Sequence, residues 1–384
     1  MEQKSERLVS LDVFRGITIA GMIMVNNPGS WGHIYPALEH AKWHGVTPTD
    51  LIFPFFLFIV GVAITISLTK RKQRGDNLEK LLFQVAKRGL MIFLIGLLLA
   101  SFPFFRYNPD LGFSWFDFSK IRIPGVLQRI GVVYFFASLI FLYTKPKTQA
   151  IIAAALLLIY WFLMAVVPVP GVGYPNFEPA TNLGAWLDNT LLGGHLWSAS
   201  KVWDPEGILS TIPSISTALC GILLGHWLKT EKDPLTKTVW MFVVGCGLLV
   251  LSMFWDMAFP INKGIWTSSY VVYCAGMALF FFATIYFLVD VKGYKRWTKP
   301  FVVYGMNAIT VFFLSGVVAR LLSMIYVAKD ANGHWMSFQS YVYNNILCSF
   351  LNQVNASFAW ALMYILFWLG MMWILYAKKI FIKV

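Results

Sequence analysis

Long apolar runs alternate with shorter polar segments along almost the whole chain. Apolar runs of about 20 residues are long enough to cross the hydrocarbon core of a bilayer as α-helices. The chain has ten such runs, at 9–27, 49–69, 86–105, 124–143, 149–168, 206–228, 238–256, 267–289, 300–322 and 357–377. This pattern predicts an all-α polytopic membrane bundle of about ten transmembrane helices, built as one domain over residues 1–384.

The segments between these runs differ in length and character. The stretch 337–352 is more weakly apolar than the ten runs and has too many polar residues to span, so we expect an interfacial or re-entrant helix there. A crossing at this stretch would make eleven spans. The basic connection 70–88 could form an amphipathic helix along the membrane. Long connections such as 28–48 and 169–205 are rich in Gly, Pro, Trp and Asn, which is typical of packed, functional loops.

Composition and charge agree with a membrane protein and indicate its orientation. Of the 384 residues, 58% are hydrophobic and 13% are charged, whereas soluble domains carry about 25% charged residues. Of 31 Lys and Arg, about 21 fall on the side of the N-terminus and about seven on the other. The positive-inside rule then places both termini in the cytoplasm and the long loops outside. The net charge of +13 therefore reflects the orientation in the membrane, and we expect no nucleic-acid partner. The cytoplasmic basic residues can also bind anionic lipid and an anionic cytosolic ligand.

The loop after the first span carries three of the six histidines, His33, His40 and His44. Their spacing fits no metal site and no set of carboxylates completes one, so we expect no metal. A histidine acting as a general base or a nucleophile needs only geometry and a pKa near neutrality. The loop is therefore a candidate site for proton or acyl transfer on the external side.

Several polar residues fall inside the predicted spans, where they are costly and are candidates for function. Asp12 and Arg15 lie three residues apart on one face of the first helix, so they either form a structural ion pair or orient an anionic ligand. Gln128 and Arg129 begin the fourth helix, where Arg129 either snorkels or bonds a backbone carbonyl, or else contacts a substrate or phosphate. Asn307 in the ninth helix needs a polar partner, from a neighbouring helix or from a ligand.

Three carboxylates stand where predicted helices begin. At the second helix Thr47 or Thr49 can cap, Pro48 fits the first turn and Asp50 suits the positive end of the helix dipole, so capping alone explains this group without a further function. Asp204 and Glu206 open the sixth helix in the same way, but two carboxylates exceed what capping requires. We therefore keep all three as candidate binding residues.

Short motifs resemble a known family, and they occur in order along residues 7 to about 310. Arg7–Gly16 (RLVSLDVFRG) is similar to the start of the first helix in the heparan-alpha-glucosaminide N-acetyltransferase family. His40–Gly45 (HAKWHG) with Thr47, Asp50–Pro54 and Phe58–Gly61 resembles the catalytic loop and second helix of that family. Further similar blocks are Arg122–Arg129, Asp204–Leu209, Pro260–Lys263 with Ser268–Tyr270, and Gly305–Asn307.

The resemblance implies a transmembrane acetyltransferase. The family takes acetyl-CoA from the cytosol and acetylates the amine of a terminal glucosamine across the membrane. Residue by residue, the catalytic histidine corresponds to His40 and a catalytic asparagine to Asn26, with Asn27 as the alternative register. The implied partners are acetyl-CoA, glucosamine or a glucosamine-terminated glycan, and the bilayer of a bacterial inner membrane, with the catalytic loop in the periplasm. External aromatic loops leave a homodimer open.

The sequence leaves three functions open: an acetyltransferase, a transporter and a scaffold. In the acetyltransferase, His40 either deprotonates the acceptor amine or carries the acetyl group itself, while Asn26 stabilises the thioester oxygen. An amino-sugar or N-acetylglucosamine-related transporter without chemistry would share the helical pattern but tolerate loss of His40. A scaffold protein would leave the intramembrane Asp and Arg residues without a purpose.

Overall fold

The computed structural model describes residues 8–382, where the chain is almost entirely helical. Lys4, Arg7 and Lys383, which entered the charge count, lie outside the described residues. The α-helices in this range are α1 (Val9–Asn26), α2 (Ile52–Gln73), α3 (Leu78–Ser101), α4 (Val126–Tyr143), α5 (Pro146–Val166), α6 (Leu183–Leu192), α7 (Thr211–Leu228), α8 (Pro234–Asp256), α9 (Ser268–Tyr286), α10 (Lys299–Met306), α11 (Ala308–Met324), α12 (Phe338–Tyr341) and α13 (Gln353–Ala377).

Within residues 8–382, nine helices are long and apolar enough to cross a bilayer; α10 and α11 meet the same criterion only together, as a pair bent by 82°, and count as a tenth if the pair is one span. The all-α polytopic prediction is confirmed. The remaining strands form two small antiparallel hairpins, β1 (Phe105–Asn108) with β2 (Gly112–Trp115) and β3 (Tyr326–Lys329) with β4 (Trp335–Ser337). Both hairpins lie in loops, so they do not alter the helical architecture.

The spanning helices form a buried group and a peripheral group. In the buried group, more than half of the residues in the most apolar stretch of each helix are buried, and in α2 the share is 72%; this group is α1, α2, α4, α7 and α9. In the peripheral group the share is only 22–28%; this group is α3, α5, α8 and α13. An apolar helix that leaves most of its side chains uncovered in the chain itself presents them to lipid. The five buried helices therefore form the core, and the chain segments that begin or end them meet at its ends.

Glycines set the closest helix contact of the core. A Cβ on Gly61 of α2 would stand 1.9 Å from the carbonyl oxygen of Ala218 in α7, and one on Gly221 would stand 1.9 Å from that of Phe58. Small residues allow helix backbones to approach in this way within membranes. The contact fixes the start of α2 relative to the start of α7, and both starts carry candidate site residues.

All long connections lie at one end of the bundle, here called the loop end; the other is called the turn end. The loop end contains residues 27–51, the β1–β2 hairpin, the 167–210 segment with α6, residues 257–267, and residues 325–352. The segment 337–352 forms a short α-helix, a π-helical turn (Val342–Ile346) and a 3₁₀ turn (Leu347–Ser349). It does not qualify as a span, in agreement with its sequence.

Three predicted elements differ from the structure. The connection 70–88 is not a surface helix: α2 continues to Gln73 and α3 begins at Leu78, because Asn77 caps α3 by accepting from the N–H of Glu79. The run 300–322 is not straight, since it bends by 82° at Asn307. The sixth predicted span begins later, at Thr211, so Asp204 and Glu206 lie in a loop and do not open a helix.

The Gly61 contact leads to a stability prediction. Gly61→Ala should lower the melting temperature in detergent, because the added methyl overpacks the α2–α7 contact at a cost of about 1–3 kcal/mol or more. Gly247→Ala in α8 is the matched control: a Cβ added at Gly247 would meet nothing within 4 Å, and Ala favours a helix over Gly by about 1 kcal/mol. Equal melting temperatures for the two variants would contradict this packing.

Candidate active site

Asp50 is a buried carboxylate at the loop end that accepts four hydrogen bonds. It lies in a 3₁₀ turn (Pro48–Leu51) that leads into α2, and its side chain is 1% exposed. Oδ2 accepts hydrogen bonds from the backbone N–H groups of Ala41 (3.1 Å) and Thr47 (3.0 Å) and from the Thr47 hydroxyl (3.1 Å). Asp50 therefore closes the loop that carries His40 onto the start of α2, and it is the third residue of a capping box in which Thr47, one of the two predicted caps, is the N-cap.

The other oxygen of Asp50 holds His40. Nδ1 of His40 lies 2.7 Å from Oδ1 of Asp50. A carboxylate only accepts hydrogen bonds, so Nδ1 carries the proton and donates it. This leaves Nε2 with its lone pair, which can accept a proton, on a side chain that is 51% exposed. A carboxylate that fixes the tautomer of an accessible imidazole is the arrangement used in general base catalysis.

Lys263, which the sequence did not identify as a site residue, completes this group. Its Nζ lies 3.0 Å from Nδ1 and 3.2 Å from Nε2 of His40, and 3.6 Å from Oδ1 of Asp50. The side chain is 18% exposed. Burial lowers the pKa of its ammonium group, against the opposing charges of Asp50 and Glu206. The sequence signal was the Pro260–Lys263 motif, but nothing in one sequence joins that loop to His40.

Hydrogen bonds within the 257–267 loop fix Lys263 in place. The N–H of Gly45 donates to the carbonyl of Ile261 (2.7 Å), which ties this loop to the histidine loop. Asn262 accepts from the N–H of Ile265 (3.1 Å), and its own N–H donates to the hydroxyl of Thr267 (3.0 Å). The residues around Lys263 are thus held by these bonds, so its side chain is directed at His40.

The other two loop histidines have structural partners. His44 Nδ1 lies 3.3 Å from the side-chain nitrogen of Asn262. His33 Nδ1 lies 3.3 Å from the hydroxyl of Ser30 and 3.2 Å from that of Tyr343 in the 337–352 segment. Among these three histidines of the described chain, His40 alone is paired with a carboxylate, which agrees with its selection by the family motif.

Asp204 and Glu206 form an ion-pair network with Arg122. Arg122 donates to both oxygens of Asp204, from Nε (2.8 Å) and Nη2 (2.6 Å), and from Nη2 to Glu206. Burial opposes the charge on Arg122, but the two carboxylates outweigh it and raise its pKa. His195 accounts for the position of Arg122, since its ring bonds the carbonyl of Ile121 (2.8 Å). The carboxylates therefore brace two loops beside the His40 group, a role that the helix-capping interpretation missed.

Arg129 is buried beneath this network. Its guanidinium donates to the carbonyl of Gly207 (2.9 Å) and to the hydroxyl of Ser210, and it stacks 5.2 Å from the ring of Trp266. Nε and Nη1 are buried and have no hydrogen-bond partner among the described residues. Arg129 thus does not snorkel. It binds the 204–210 loop through Nη2, and its Nε and Nη1 atoms remain without a partner among the described residues.

Asp188 of α6 is a further buried carboxylate that the sequence did not suggest. It accepts from the N–H of Ile208 (2.8 Å) and packs so closely on Gly207 that a Cβ there would stand 1.9 Å from Oδ2. Burial raises its pKa to about 6, with the charge of Asp204 acting in the same direction. It lines a small polar cavity with Asn182, Trp203 and Ser210.

Two of the predicted site residues, Asn26 and Gln128, lie at helix ends and do not contact the His40 group. Asn26 is the last residue of α1 and is exposed; its side chain makes no hydrogen bond within the described chain. Gln128 is 5% exposed and packs against Gly96 of α3 and Gly125, where a Cβ on Gly96 would stand 2.3 Å from its Oε1. Asn26 is thus free to meet a ligand, whereas Gln128 fills a helix contact.

The remaining candidates form a separate group near the turn end. Arg15 lies 3.3 Å from Asp12 and also donates to the carbonyl of Gly305 (3.3 Å). Asn307 sits at the α10–α11 bend, where its amide donates to the carbonyl of Ile380 (3.1 Å) and accepts from the N–H of Ile382 (2.9 Å). The polar partner that Asn307 requires is therefore the chain after α13.

Metal ligands do not cluster in the described chain. Residues 8–382 contain no group of three or more His, Cys, Asp or Glu side chains placed to hold a metal ion. The His40 group instead combines one carboxylate, one imidazole and one ammonium. Such a combination can move protons, so the fold is that of a polytopic membrane protein and the His40 group is its candidate acid–base centre.

Comparison with known proteins supports this class and gives the family. Residues 7–253 match the family model described as "Heparan-alpha-glucosaminide N-acetyltransferase, catalytic". The chain is 31% identical to the heparan-alpha-glucosaminide N-acetyltransferase of Homo sapiens, over 98% of this chain and 60% of that protein. For the Mus musculus protein of the same name the identity is 30%, over 99% and 61%. The chain belongs to this family and spans about 60% of the length of these relatives.

The buried carboxylate of Asp188 leads to a pH-dependent stability prediction. Because its pKa is about 6 in the folded protein and 3.8 ordinarily, the folded state binds the proton more tightly. This contribution to stability is present at low pH and is lost as the pH rises towards 6; two pKa units correspond to about 3 kcal/mol. Asp188→Asn should therefore melt at a higher temperature than wild type above pH 7, with the difference fading towards pH 4.

Glu178→Gln is the control for Asp188→Asn, because Glu178 is an exposed acid in the same loop segment. We expect the Glu178→Gln melting curve to follow wild type at every pH. A destabilised Asp188→Asn protein above pH 7 would show that the carboxylate is held ionised.

Proposed function

We propose that the protein is a transmembrane N-acetyltransferase, which moves an acetyl group from acetyl-CoA to the amine of a glucosamine-type sugar at the loop end. The observation that supports this most directly is the Asp50-bound imidazole of His40, half-exposed in a chain of the N-acetyltransferase family. The positive-inside distribution supports a cytoplasmic turn end and an external loop end, which would be periplasmic in a bacterial inner membrane.

His40 acts on the acceptor. A sugar ammonium must lose a proton before its nitrogen can attack a carbonyl, and imidazole suits this task near neutral pH. Asp50 holds Nδ1–H and stabilises the imidazolium that forms when Nε2 takes the proton. The same lone pair of Nε2 would serve if the acetyl group were carried on the histidine.

Asn26 acts on the thioester. The carbonyl oxygen gains negative charge as the nitrogen attacks, and a fixed N–H donor lowers that barrier; removal of one such donor in a protease costs about 3–4 kcal/mol. The exposed amide of Asn26 has no competing partner in the described chain, and it precedes the loop that carries His40. It is therefore available to bind the oxygen when donor and acceptor are both present.

The cytosolic surface supports an anionic donor. Burial, and then the charge of Lys70, lowers the pKa of Lys229 at the turn end. Ammonium groups this close repel each other and attract an anion such as the phosphates of CoA. Acetyl-CoA would thus be attracted at the turn end, while its thioester must reach the group at the loop end.

Thiol release tests the proposal. Purified protein in lipid nanodiscs would be mixed with acetyl-CoA and a panel of amino sugars that includes glucosamine. We expect release by wild type and a loss on the order of 10²–10⁴ for His40→Ala, the usual contribution of a general base. His334→Ala, at an exposed histidine of the β3–β4 turn, should match wild type.

Two outcomes of this assay would contradict the proposal in different ways. Equal release by wild type and His40→Ala would remove His40 from the chemistry. No release with any amino sugar, together with sugar uptake that does not need acetyl-CoA, would establish the transporter alternative.

Asp50→Asn tests the orientation of the imidazole. The amide can donate to Nδ1 and so favours the tautomer with its proton on Nε2, where the base is needed; in a serine protease the equivalent change lowers kcat about 10⁴-fold. We expect turnover to fall by at least about 10²-fold. Because Asp50 also closes the histidine loop, the melting temperature of the variant is measured alongside, and retained turnover in a folded variant would exclude this role.

A further inference from the structure

Lys263 has no assigned role in the proposed acyl transfer, yet it stands closer to the reacting position than any other cation of the described chain. Its Nζ lies 3.2 Å from Nε2 of His40, the atom that takes the acceptor proton. An acceptor amine within hydrogen-bond reach of Nε2 must then lie no more than about 6 Å from Nζ, and the thioester carbonyl that this amine attacks lies next to the amine. A buried ammonium at this distance requires a chemical or an electrostatic explanation.

Structural ion pairing does not explain Lys263 fully. Its separation from Asp50 is 3.6 Å, because His40 occupies the near side of Oδ1 at 2.7 Å. The carboxylate therefore serves the imidazole first and the ammonium second. The bonds around Asn262 and the Gly45–Ile261 bond hold the backbone beside Lys263 without using the ion pair.

We propose that Lys263 is the general acid that protonates the departing thiolate of CoA. This inference rests on the proposed acetyltransferase function. Expulsion of CoA as a thiolate leaves a negative sulfur at the loop end, and Lys263 is the ammonium that lies within 3.2 Å of Nε2 of His40. Lysine has three N–H donors and gives up a proton more readily when it is buried, and its side chain is largely buried beside His40.

The step balances when the two groups exchange one proton. The acceptor reacts as the neutral amine, after His40 has taken its ammonium proton and released it to water. As its nitrogen forms the C–N bond to the acetyl carbon, it passes a second proton to Nε2 of His40. The C–S bond breaks, and the sulfur takes a proton from Nζ of Lys263 to leave as CoA thiol. The imidazolium then returns the proton on Nε2 to the neutral lysine across 3.2 Å, which restores both groups without an added reactant.

A comparison of two acetyl donors tests the role. Acetyl-CoA has a basic thiolate that needs a proton to leave, whereas the acetyl thioester of 5-thio-2-nitrobenzoate releases a thiolate that is stable at neutral pH. For Lys263→Met we expect turnover with acetyl-CoA to fall on the order of 10²-fold relative to wild type, within the range of general acid contributions. With the activated donor, the ratio of variant to wild type should stay near one.

Lys263→Arg separates proton transfer from charge. The guanidinium keeps the positive charge but does not give up a proton, so this variant should lose acetyl-CoA turnover as Lys263→Met does. Lys42→Met is the matched control, because Lys42 is an exposed lysine two residues from His40 with no hydrogen bond or ion pair within the described chain. It should behave as wild type with both donors.

The outcomes are distinct. Full activity of Lys263→Arg with acetyl-CoA would show that only the charge matters and would overturn the proton-donor role. Equal losses with both donors would show that Lys263 only positions other groups, and would also overturn it. If wild type releases no thiol from either donor with any amino sugar, the proposed function itself fails, and the inference fails with it.

Discussion

The carboxylate of Asp50 is the interaction on which the candidate site depends. Its oxygens accept two backbone N–H groups and a hydroxyl from the loop that it closes, bind the imidazole of His40, and face the ammonium of Lys263. A carboxylate that is 1% exposed would be costly without these partners, because burial of an unpaired charge is strongly unfavourable. The fold of the histidine loop and its chemistry are therefore stabilised by the same group.

The bundle was predictable because its signal is local. Apolar runs of spanning length need no knowledge of their neighbours, and within residues 8–382 nine helices of spanning length and the bent α10–α11 pair lie near the ten predicted positions. The bend at Asn307 and the late start of α7 at Thr211 were not visible, since hydropathy averages over a window and does not register where the backbone leaves the helix. Asp204 and Glu206 were accordingly assigned to a helix start, although their partner Arg122 lies 82–84 residues earlier in the chain.

The chemistry was predictable only as far as short motifs reach. His40 and Asp50 are ten residues apart and lie within one motif, so both were candidates, but capping alone accounted for Asp50 until its second oxygen was seen to hold His40. Lys263, Arg122 and Asp188 act through loops that meet only in three dimensions. The predicted polar site residues lie at both ends of the bundle. Asp12, Arg15 and Asn307 lie at the turn end and make no contact with the His40 group within residues 8–382.

The bond between Gly45 and Ile261 joins loops that are far apart in the chain, and Lys263 lies 223 residues after His40. A membrane protein is inserted from its N-terminus, so the histidine loop reaches its final side long before the lysine loop is synthesised. The Asp50–His40 pair can then form while the spanning helices α3, α4, α5, α7 and α8 are still to be made. Assembly order thus separates the formation of the base from the arrival of the neighbouring ammonium, and a chain truncated after α7 would carry the first without the second.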